Sequence, residues 1–312
     1  MVMNESKKFR RLALWVKIRR WGITVVIVIL VVLAAMPVAY KLTQMRAAKV
    51  SNEIMLNMEM DNDLMAPNIE VSDQYLGNTS VMEGQVISHR YKDIEGYRIP
   101  WSPVIQDYSW LNVGGGDALS NATDQSATAL YDRVTEQKIP MFFNARATRP
   151  NLKATHDLRK VAATKGAVAE MALTFKQPLT YQQVRAKLPA KVHPQWYWIG
   201  VSGTADPTSM DNNLLGYNAK NLAHPERLSQ DNYRGFYREL VKAGKTASGM
   251  SYDGFNIYKY AGQYAKRYPK GSQAKFAGVI VTGNSEDFQS LIKANWIYAS
   301  SAGFFRQRSV IK

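Results

Sequence analysis

The sequence has no cysteine among its 312 residues. This absence excludes a disulfide framework, a thiolate nucleophile and a cysteine-ligated metal centre. If the chain works outside a membrane, the absence of disulfides fits a thick-walled bacterium without routine disulfide formation better than an animal cell surface. The lack of cysteine therefore bears on both the chemistry of the protein and its source.

Histidine is also scarce, and the four histidines are His89, His156, His193 and His224. None stands four residues from another and no HExxH pattern occurs, so the sequence indicates no histidine metal site. His156 precedes Asp157, but adjacent side chains point apart on a helix. We expect Asp157 to act instead as the N-cap of a helix over Leu158–Ala163.

Signatures of catalysis are missing as well. No GxSxG elbow occurs in the sequence, so serine acyl transfer has no support. An anchored hydrolase would need carboxylates from distant parts of the chain to converge in one cleft. The candidates for such a pair are Glu170, Asp211, Asp253 and Glu286. The sequence accordingly predicts no enzyme, and it predicts no catalytic, cofactor-binding or metal-ligating residue.

A long uncharged run over residues 21–40 is the strongest feature that the sequence does contain. The run is rich in valine, isoleucine and leucine, and a helix of this length, at about 1.5 Å per residue, matches a bilayer core of about 30 Å. Trp21 and Tyr40 stand at its two ends, where amphipathic rings favour the headgroup level. The run therefore predicts one transmembrane helix.

Two other interpretations of the run have less support. A cleaved signal peptide has an apolar region of about 7–15 residues, which is shorter than this run, and Pro37 lies where cleavage would occur. A core helix would carry a polar stripe, which the β-branched stretch over 23–29 lacks. We therefore expect the helix to stay in the membrane.

The distribution of charge predicts the orientation of this helix. Residues 1–20 hold seven basic residues and one acidic residue, whereas the basic residues after the run thin out to Lys41, Arg46 and Lys49. By the positive-inside rule, the short basic tail lies in the cytoplasm and about 270 residues lie outside.

The chain as a whole is basic, with a net charge of +15, of which +9 falls after residue 20. The downstream basic residues are scattered and no nucleic-acid-binding module accompanies them, so nucleic acid is not a predicted partner. A basic exterior domain suits an anionic cell wall or an anionic lipid surface. Solubility and general surface attraction explain the same excess.

Beyond the membrane helix, the chain divides into three regions. A helical stalk over 41–62 continues the helix outward, with an apolar stripe that packs on its own domain or on a second copy. A β-rich region follows over 63–160, with a turn at 94–96 and a short helix at 126–136. Residues 161–312 are predicted to form a C-terminal α+β sensing domain.

The C-terminal region shows two strand–helix–strand units separated by an insertion. Strands are expected at 167–175, 192–201, 276–282 and 296–305. Helices are expected at 180–188, with Thr180 as N-cap, at 285–293, and in the insertion at 229–243 and 258–268. We therefore predict an α+β fold with a mixed or antiparallel sheet, helices on one face and ferredoxin-like βαβ units that carry a helical insertion.

Aromatic side chains are plentiful in this region. Trp196 and Trp198 share one face of a strand and Tyr197 takes the other, where they form either a buried core or an aromatic ledge for a ligand. The insertion mixes aromatics with basic residues, which describes either a partner-binding surface or an amphipathic helix packed on the sheet. These residues are Tyr217, Tyr233, Arg234, Phe236, Tyr237, Arg238, Lys242, Tyr252, Phe255, Tyr258 and Tyr260.

Several motifs run along the chain after the basic tail and the membrane helix. They are KDIEGY at 92–97, IPMFFN at 139–144, VAEMALTF at 168–175, PLTY at 178–181, LP at 188–189, WYW at 196–198, LGY at 215–217, and GVIVTG at 278–283 with the SEDF that follows. Together these motifs resemble the sigma factor regulator family, which comprises membrane-anchored proteins related to the anti-sigma factors of extracytoplasmic-function sigma factors in Gram-positive bacteria.

The resemblance implies a single-pass regulator whose outer domain senses envelope stress and whose inner segment restrains a sigma factor. Members that hold a sigma factor need a substantial cytoplasmic segment, whereas only about twenty residues precede the span here. The apolar residues of this tail make a small interface compared with about 800 Å² per partner in a standard complex. They are Phe9, Leu12, Leu14 and Trp15.

The tail is therefore expected to set topology and to contact anionic lipid, while a co-encoded membrane protein supplies the missing cytoplasmic contacts. An alternative function belongs to another class. In that alternative, the chain is a membrane-anchored, wall-facing binding or structural module that sends no signal and binds anionic cell-wall polymer in a salt-dependent way.

Overall fold

The computed structural model describes residues 2–111, 113–116, 123–126, 128–210, 213–220, 226–246 and 250–308. Its first element is a single helix of 64 residues, α1 (Val2–Met65), which is about 96 Å long at roughly 1.5 Å per residue. The predicted span is exposed along its whole length. In the described part of the chain, α1 is the one helix that is long and apolar enough to cross a membrane.

A four-stranded antiparallel sheet follows α1, in the order β1 (Glu70–Gly77), β2 (Glu83–Ile94), β3 (Tyr97–Ser109) and β4 (Val113–Gly116). The predicted turn at 94–96 joins β2 to β3. Glu95 and Gly96 have φ angles of 52° and 84°, which suit the two central positions of a tight hairpin turn.

The stalk portion of α1 packs against this sheet. Ile54 and Met58 are buried in one cluster with Val86 of β2 and Tyr108 of β3. The Ile54 and Met58 part of the apolar stripe is therefore covered by its own chain, whereas Leu42, Met45 and Leu56 are exposed. The stalk and the membrane helix are one continuous element.

A small three-stranded sheet comes next, formed by β5 (Thr123–Gln125), β6 (Leu130–Asp132) and β7 (Lys138–Ile139). The short helix predicted at 126–136 is wrong, because this segment forms β6 and a turn. The buried carboxylate of Asp132 accepts hydrogen bonds from the backbone N–H groups of Val134 and Thr135 at 3.2 and 2.9 Å. Such local bonds favour a turn over a helix.

The shorter helices of the described residues are α2 (Leu158–Ala163), α3 (Tyr181–Lys187), α4 (Gln230–Ala243) and α5 (Ile257–Arg267), with 3-10 helices at Pro207–Ser209, Gly271–Gln273 and Ser285–Leu291. Thr180 caps α3 as predicted: its Oγ1 accepts from the Gln183 N–H at 3.3 Å, and Gln183 Oε1 accepts from the Thr180 N–H at 2.9 Å. The α-helix predicted at 285–293 is a 3-10 helix instead. The preceding Asn284 does not cap this helix with its side chain.

Five antiparallel strands form the largest sheet, in the order β10 (Gly216–Asn218), β9 (His193–Trp198), β13 (Lys275–Asn284), β8 (Ala167–Thr180) and β14 (Ile297–Gln307). A two-stranded hairpin of β11 (Ser251–Tyr252) and β12 (Phe255–Asn256) lies in the insertion. Without the edge strand β10, the order β9–β13–β8–β14 is that of a ferredoxin-like split βαβ arrangement. The predicted α+β fold is confirmed, and the sheet is antiparallel.

The aromatic strand β9 lies in the main core. Tyr197 packs its ring 4.8 Å from that of Tyr181 in α3, whereas Trp198 stacks on Phe142 at 4.8 Å. The two sides of β9 therefore contact different partners, as the alternation predicts. Trp196, Tyr197 and Trp198 are at most 2 % exposed, so the core interpretation of this motif is confirmed.

Candidate functional site

A cleft of about 470 Å³ lies between the end of β9 and helix α5. Trp198, Ile199 and Gly200 line it, together with residues 143–146 and parts of β8 and β13. A volume of this size is in the usual range for small-ligand pockets. Trp198 is therefore both a core residue and part of the cleft lining.

The cleft is strongly basic. Among the described residues, its lining includes Arg146, Lys176, Arg267 and Lys275 and no acidic residue. All four side chains are exposed, and none of them forms an ion pair with another residue in the described part of the chain. Positive charges without nearby carboxylates create a potential that attracts anions.

Tyrosines of α5 fix the walls of the cleft. Burial raises the pKa of Tyr260 to about 12 and raises that of Tyr264 well above its ordinary value. Both phenols are therefore neutral at physiological pH and act as donors. The Tyr260 hydroxyl donates to the Ile199 carbonyl at 3.1 Å, and the Tyr264 hydroxyl donates to the Lys275 carbonyl at 3.0 Å.

Gly200 is needed where β9 turns into the cleft. Its φ angle is 90°, a region that residues with a side chain rarely adopt. A Cβ at this position would lie 2.9 Å from Cβ of Ala277 and 3.7 Å from the Tyr260 hydroxyl. Glycine therefore lets β9, β13 and α5 approach one another and keeps this wall of the cleft open.

A second feature is a buried junction around Glu170 of β8. Lys92 of β2 donates to both carboxylate oxygens of Glu170 at 3.2 and 3.1 Å, and both side chains are 0 % exposed. Asn68, just after α1, donates its amide to the same carboxylate at 2.6 Å. The junction therefore ties the end of α1 and the β2 strand to the five-stranded sheet, which we call the central sheet.

Lys92 is held on two sides. Its Nζ lies 4.1 Å from the ring centroid of Trp101, in a cation–π contact. Burial lowers the pKa of Lys92, and the neighbouring carboxylate of Glu170 works in the opposite direction. The ion pair with Glu170 thus compensates for placing an ammonium group in the interior.

Gly303 of β14 makes room for the carboxylate. A Cβ at this position would lie 2.5 Å from Glu170 Oε2 and 2.8 Å from Cδ of Pro140. The backbone N–H of the next residue, Phe304, donates to Glu170 Oε2 at 3.4 Å. The central sheet is therefore shaped locally to receive this charge.

An ion pair and a histidine–carboxylate contact connect the same parts of the chain. Lys220, after β10, contacts Glu70 of β1 at 2.6 Å, and His193 of β9 contacts Glu95 at 2.9 Å. Burial alone would raise the pKa of Glu70, but hydrogen bonds from Lys220 and Tyr91 outweigh it and lower the pKa. The four-stranded sheet of β1 to β4, which we call the N-terminal sheet, is thus bound to the central sheet at several points.

The end of α1 is itself part of the main core. Met60, Leu64 and Met65 belong to the core cluster that includes the central sheet, and Leu64 is fully buried. Asp61 accepts a hydrogen bond from the Tyr258 hydroxyl of α5 at 2.7 Å. Burial raises the pKa of Asp61 although this hydrogen bond lowers it. The helix that passes through the predicted span therefore ends inside the globular part.

The histidines considered in the sequence do not come together. His89 contacts Asp73 at 2.8 Å, and His193 contacts the β2–β3 turn as described above. His156 forms an isolated bridge to β14, and His224 lies outside the described residues. Among the described residues, no group of three or more histidine, aspartate or glutamate side chains is placed to hold a metal ion.

The role predicted for Asp157 needs correction. Helix α2 begins after it, as expected, but the Asp157 side chain makes no capping bond. Its Oδ2 instead accepts from the Ala302 N–H at 3.1 Å and from Lys138 Nζ at 3.4 Å. The carboxylate is used to tie α2 to β14 and β7, and Ser300 Oγ accepts from the first N–H of the helix.

The candidate carboxylates also bind different partners. Glu170 lies in the junction, while Glu286 accepts from the Gly166 N–H and from Arg308. Asp253 has a φ of 46° in the β11–β12 turn, and Asp211 lies outside the described residues. No hydrogen bond joins any two of the candidate carboxylates that the structure describes, which are Glu170, Asp253 and Glu286.

The aromatics of the insertion mostly serve the core. Tyr217, Tyr233, Phe236, Phe255 and Tyr258 are each at most 8 % exposed. The packed-helix interpretation is confirmed for Tyr233, Phe236 and Tyr258, whereas Tyr217 and Phe255 lie on the strands β10 and β12. The charged residues between them point to solvent, and Arg234 and Lys242 form ion pairs within α4.

Comparison with known families identifies the parts that the junction joins. A family model described as sigma factor regulator N-terminal matches residues 16–99, and one described as sigma factor regulator C-terminal matches residues 161–303. No curated protein and no solved structure matches the chain. Lys92, Asn68 and Glu70 lie in the first matched stretch, and Glu170 and Lys220 in the second. The chain belongs to the sigma factor regulator family.

Proposed function

We propose that this protein is a single-pass membrane regulator that resembles an anti-sigma factor, with an extracytoplasmic sensing domain that modulates an extracytoplasmic-function sigma factor. Its basic N-terminal residues lie in the cytoplasm and its globular part lies outside, in the envelope of a Gram-positive bacterium. The regions 1–20, 21–40, 41–62, 63–160 and 161–312 act as tail, span, stalk, β-rich region and sensing domain. Membership of the family supports the regulatory role.

The observation that carries this proposal is the course of α1. The helix includes the basic residues of the tail and the whole apolar span, and it ends in the core at Leu64 and Met65. Pro37 removes one backbone hydrogen bond inside this helix, but α1 continues through it without a break, so no loop separates the two ends. A change in the packing of the globular part is therefore transmitted along α1 as a shift or rotation of its other end.

The junction links the packing of the sheets to the position of α1. Lys92, Glu170 and Asn68 connect the end of α1 to both matched domains. A ligand or envelope stress that changes how the N-terminal and central sheets pack alters these contacts together, and the position of α1 changes with them. Coupling between two distant sites requires one structural element whose position both sites influence.

Inside the cell, the regulator restrains its sigma factor together with a co-encoded membrane protein. Phe9 and Trp15 are 72 % and 64 % exposed on α1, so they are available to a partner or to lipid. Arg10, Arg11 and Lys17 lie among them and suit an anionic lipid surface. A pull-down from solubilised membranes is expected to recover this membrane protein.

Transcription in a deletion strain tests the proposal. Without the regulator, the genes of one envelope-stress sigma factor are expected to be induced, and the full chain supplied in trans is expected to restore their basal level. Unchanged stress transcription in the deletion strain would contradict the regulatory function. That outcome would favour the second function described next.

The basic cleft favours a second candidate function, that of an anchored module that binds anionic cell-wall polymer without signalling. The four unpaired basic residues around the cleft and its lack of acid support this candidate. Polymer binding at the cleft would also suit the regulatory function, since a wall polymer is a suitable ligand for a sensor. The two functions therefore differ in their transcriptional effect and share the ligand.

Binding of a glycerol-phosphate oligomer by the full chain in nanodiscs tests the cleft. Arg267→Ala is expected to weaken binding about fivefold, since one charge at close range is worth about 1 kcal/mol in water. The affinity of the wild-type chain should fall as salt is added. Lys266→Ala is the matched control, because this neighbouring lysine is exposed but does not line the cleft. Equal weakening by both variants would exclude the cleft as the binding site.

A further inference from the structure

One end of the N-terminal sheet exposes apolar side chains that the described part of the chain does not cover. Val81 and Met82 precede β2, Leu111 follows β3, and these residues are 48 %, 36 % and 67 % exposed. The Trp110 N–H donates to the Met82 carbonyl at 2.8 Å, so the two segments are adjacent. We call Val81, Met82 and Leu111 the apolar tip. An apolar group of this kind at one end of a sheet marks an interaction surface.

The height of the tip along α1 follows from the strand register. Strand β1 runs back along α1 toward the predicted span, because the side-chain amide of Gln74 donates to the Met55 carbonyl at 3.1 Å. Met55 is fifteen residues beyond Tyr40, or about 22 Å along a helix. Gln74 pairs with Ser88, and Met82 lies six residues back along β2, or about 20 Å along a strand.

A second path through the structure gives the same height. Ala47, seven residues beyond Tyr40 and thus about 10 Å above it, is in one buried cluster with Tyr108 of β3. Leu111 lies in the turn between Tyr108 and its β4 partner Val113, on the side of the span, so it is at most about 7 Å nearer the span than Tyr108 along a strand. Both paths therefore place the apolar tip at the level of Tyr40, where the predicted span ends.

We infer that the apolar tip docks into the interfacial region of the same lipid leaflet from which α1 emerges. This inference rests on the membrane span of the proposed function, but neither on its orientation nor on a sigma factor. The occupant is lipid rather than another protein, because the tip lies at the level of the span's own end. The segment over 78–82 carries no charge, and the neighbouring Trp110 is the residue type that favours the membrane interface.

Docking attaches the globular part to the bilayer at two points. The first is α1, and the second is the tip, on the sheet against which the stalk packs. A body held at two points cannot rotate freely about the helix axis. The tip therefore makes the orientation of the globular part, and with it the position of α1, dependent on the state of the lipid surface.

Single cysteines test this inference directly, because the natural chain has none. The full chain is reconstituted in nanodiscs with Val81→Cys, Leu111→Cys, Ile29→Cys or Val134→Cys, each labelled with the fluorophore NBD. All four side chains are exposed, so the labels disturb no core contact. Ile29 lies within the span and reports on the anchor, whereas Val134 is an exposed apolar residue of the turn between β6 and β7.

Lipids that carry a nitroxide quencher distinguish the outcomes. The NBD emission maximum of the labels at 81 and 111 is expected to lie at a shorter wavelength than in water. These labels should also be quenched more strongly by a nitroxide near the headgroup than by one near the end of the acyl chain. The label at 29 should show the opposite order, and the label at 134 should not be quenched.

Other results would overturn the inference. Quenching at 29 but not at 81 and 111 would reject the docked tip and leave the anchor intact, whereas no quenching at 29 would reject the anchor on which the proposed function depends. Self-quenching at 81 that requires two labelled chains per nanodisc would assign the tip to a second copy instead of lipid.

Discussion

Replacement of Glu170 by alanine is expected to lower the free energy of unfolding by about 3–5 kcal/mol, the usual effect of breaking a buried ion pair on one side. The physical reason is that Lys92 has no counterion in the variant. Its side chain must then either stay charged in the interior or give up its proton. Both side chains are 0 % exposed, and the two Nζ–carboxylate distances are 3.1 and 3.2 Å. Denaturant unfolding of the full chain in detergent, followed by tryptophan fluorescence, measures the effect.

The pH dependence of this variant has a defined sign. Burial lowers the pKa of Lys92 in the folded chain below its ordinary value of 10.5, and loss of Glu170 removes the opposing influence. The unfolded chain then binds more protons at Lys92 than the folded chain does, so stability rises with pH toward 10.5. The deficit of Glu170→Ala relative to the natural chain should therefore shrink as the pH is raised.

Two controls separate the buried pair from charge in general. The double variant Lys92→Met with Glu170→Leu should recover part of the lost stability, because an apolar pair of similar volume leaves no unpaired charge, while the buried Asn68 amide loses its acceptor. Glu53→Ala breaks an exposed pair with Lys49 at 3.9 Å and should cost less than about 1 kcal/mol. Equal losses for Glu53→Ala and Glu170→Ala would contradict the importance of the junction.

Replacement of Leu64 by alanine is the second change with a large expected effect. Leu64 is fully buried where α1 enters the main core, and removal of a buried leucine side chain costs about 2–5 kcal/mol. Leu56→Ala is the matched control, since Leu56 lies on the same helix but is 51 % exposed. It should change stability by no more than about 0.5 kcal/mol. The same unfolding measurement compares the two variants, and equal losses would show that the end of α1 does not depend on the core.

Much of the fold could be predicted because its signals are local. The uncharged run over 21–40 predicts its helix by length, and Thr180 with Gln183 has the pattern of a capping box. The alternation of Trp196, Tyr197 and Trp198 predicts two opposite faces. The same kind of local signal fails over 126–136. The propensity of this segment predicts a helix, whereas the buried carboxylate of Asp132 stabilises a turn.

The junction could not be predicted from local pattern, since its partners are 78 residues apart in the sequence. A signal was nevertheless present. Glu170 lies within an apolar strand that runs on both sides of it, and a charge in a fully buried strand must have a partner. The sequence does not say that this partner is Lys92, because β2 alternates and its lysine has the pattern of a solvent-facing residue. The cleft has no sequence signal either, because its basic residues come from separate segments.

The proposed regulation depends on α1, which transmits a change in the packing of the globular part to the basic residues at its N-terminal end. The most direct test is the activity of the regulated stress promoter in the deletion strain supplied with Leu64→Ala or Leu56→Ala, at equal protein levels in the membrane. We expect Leu56→Ala to restore the wild-type promoter activity and Leu64→Ala to fail. Wild-type activity with both variants would contradict transmission through α1.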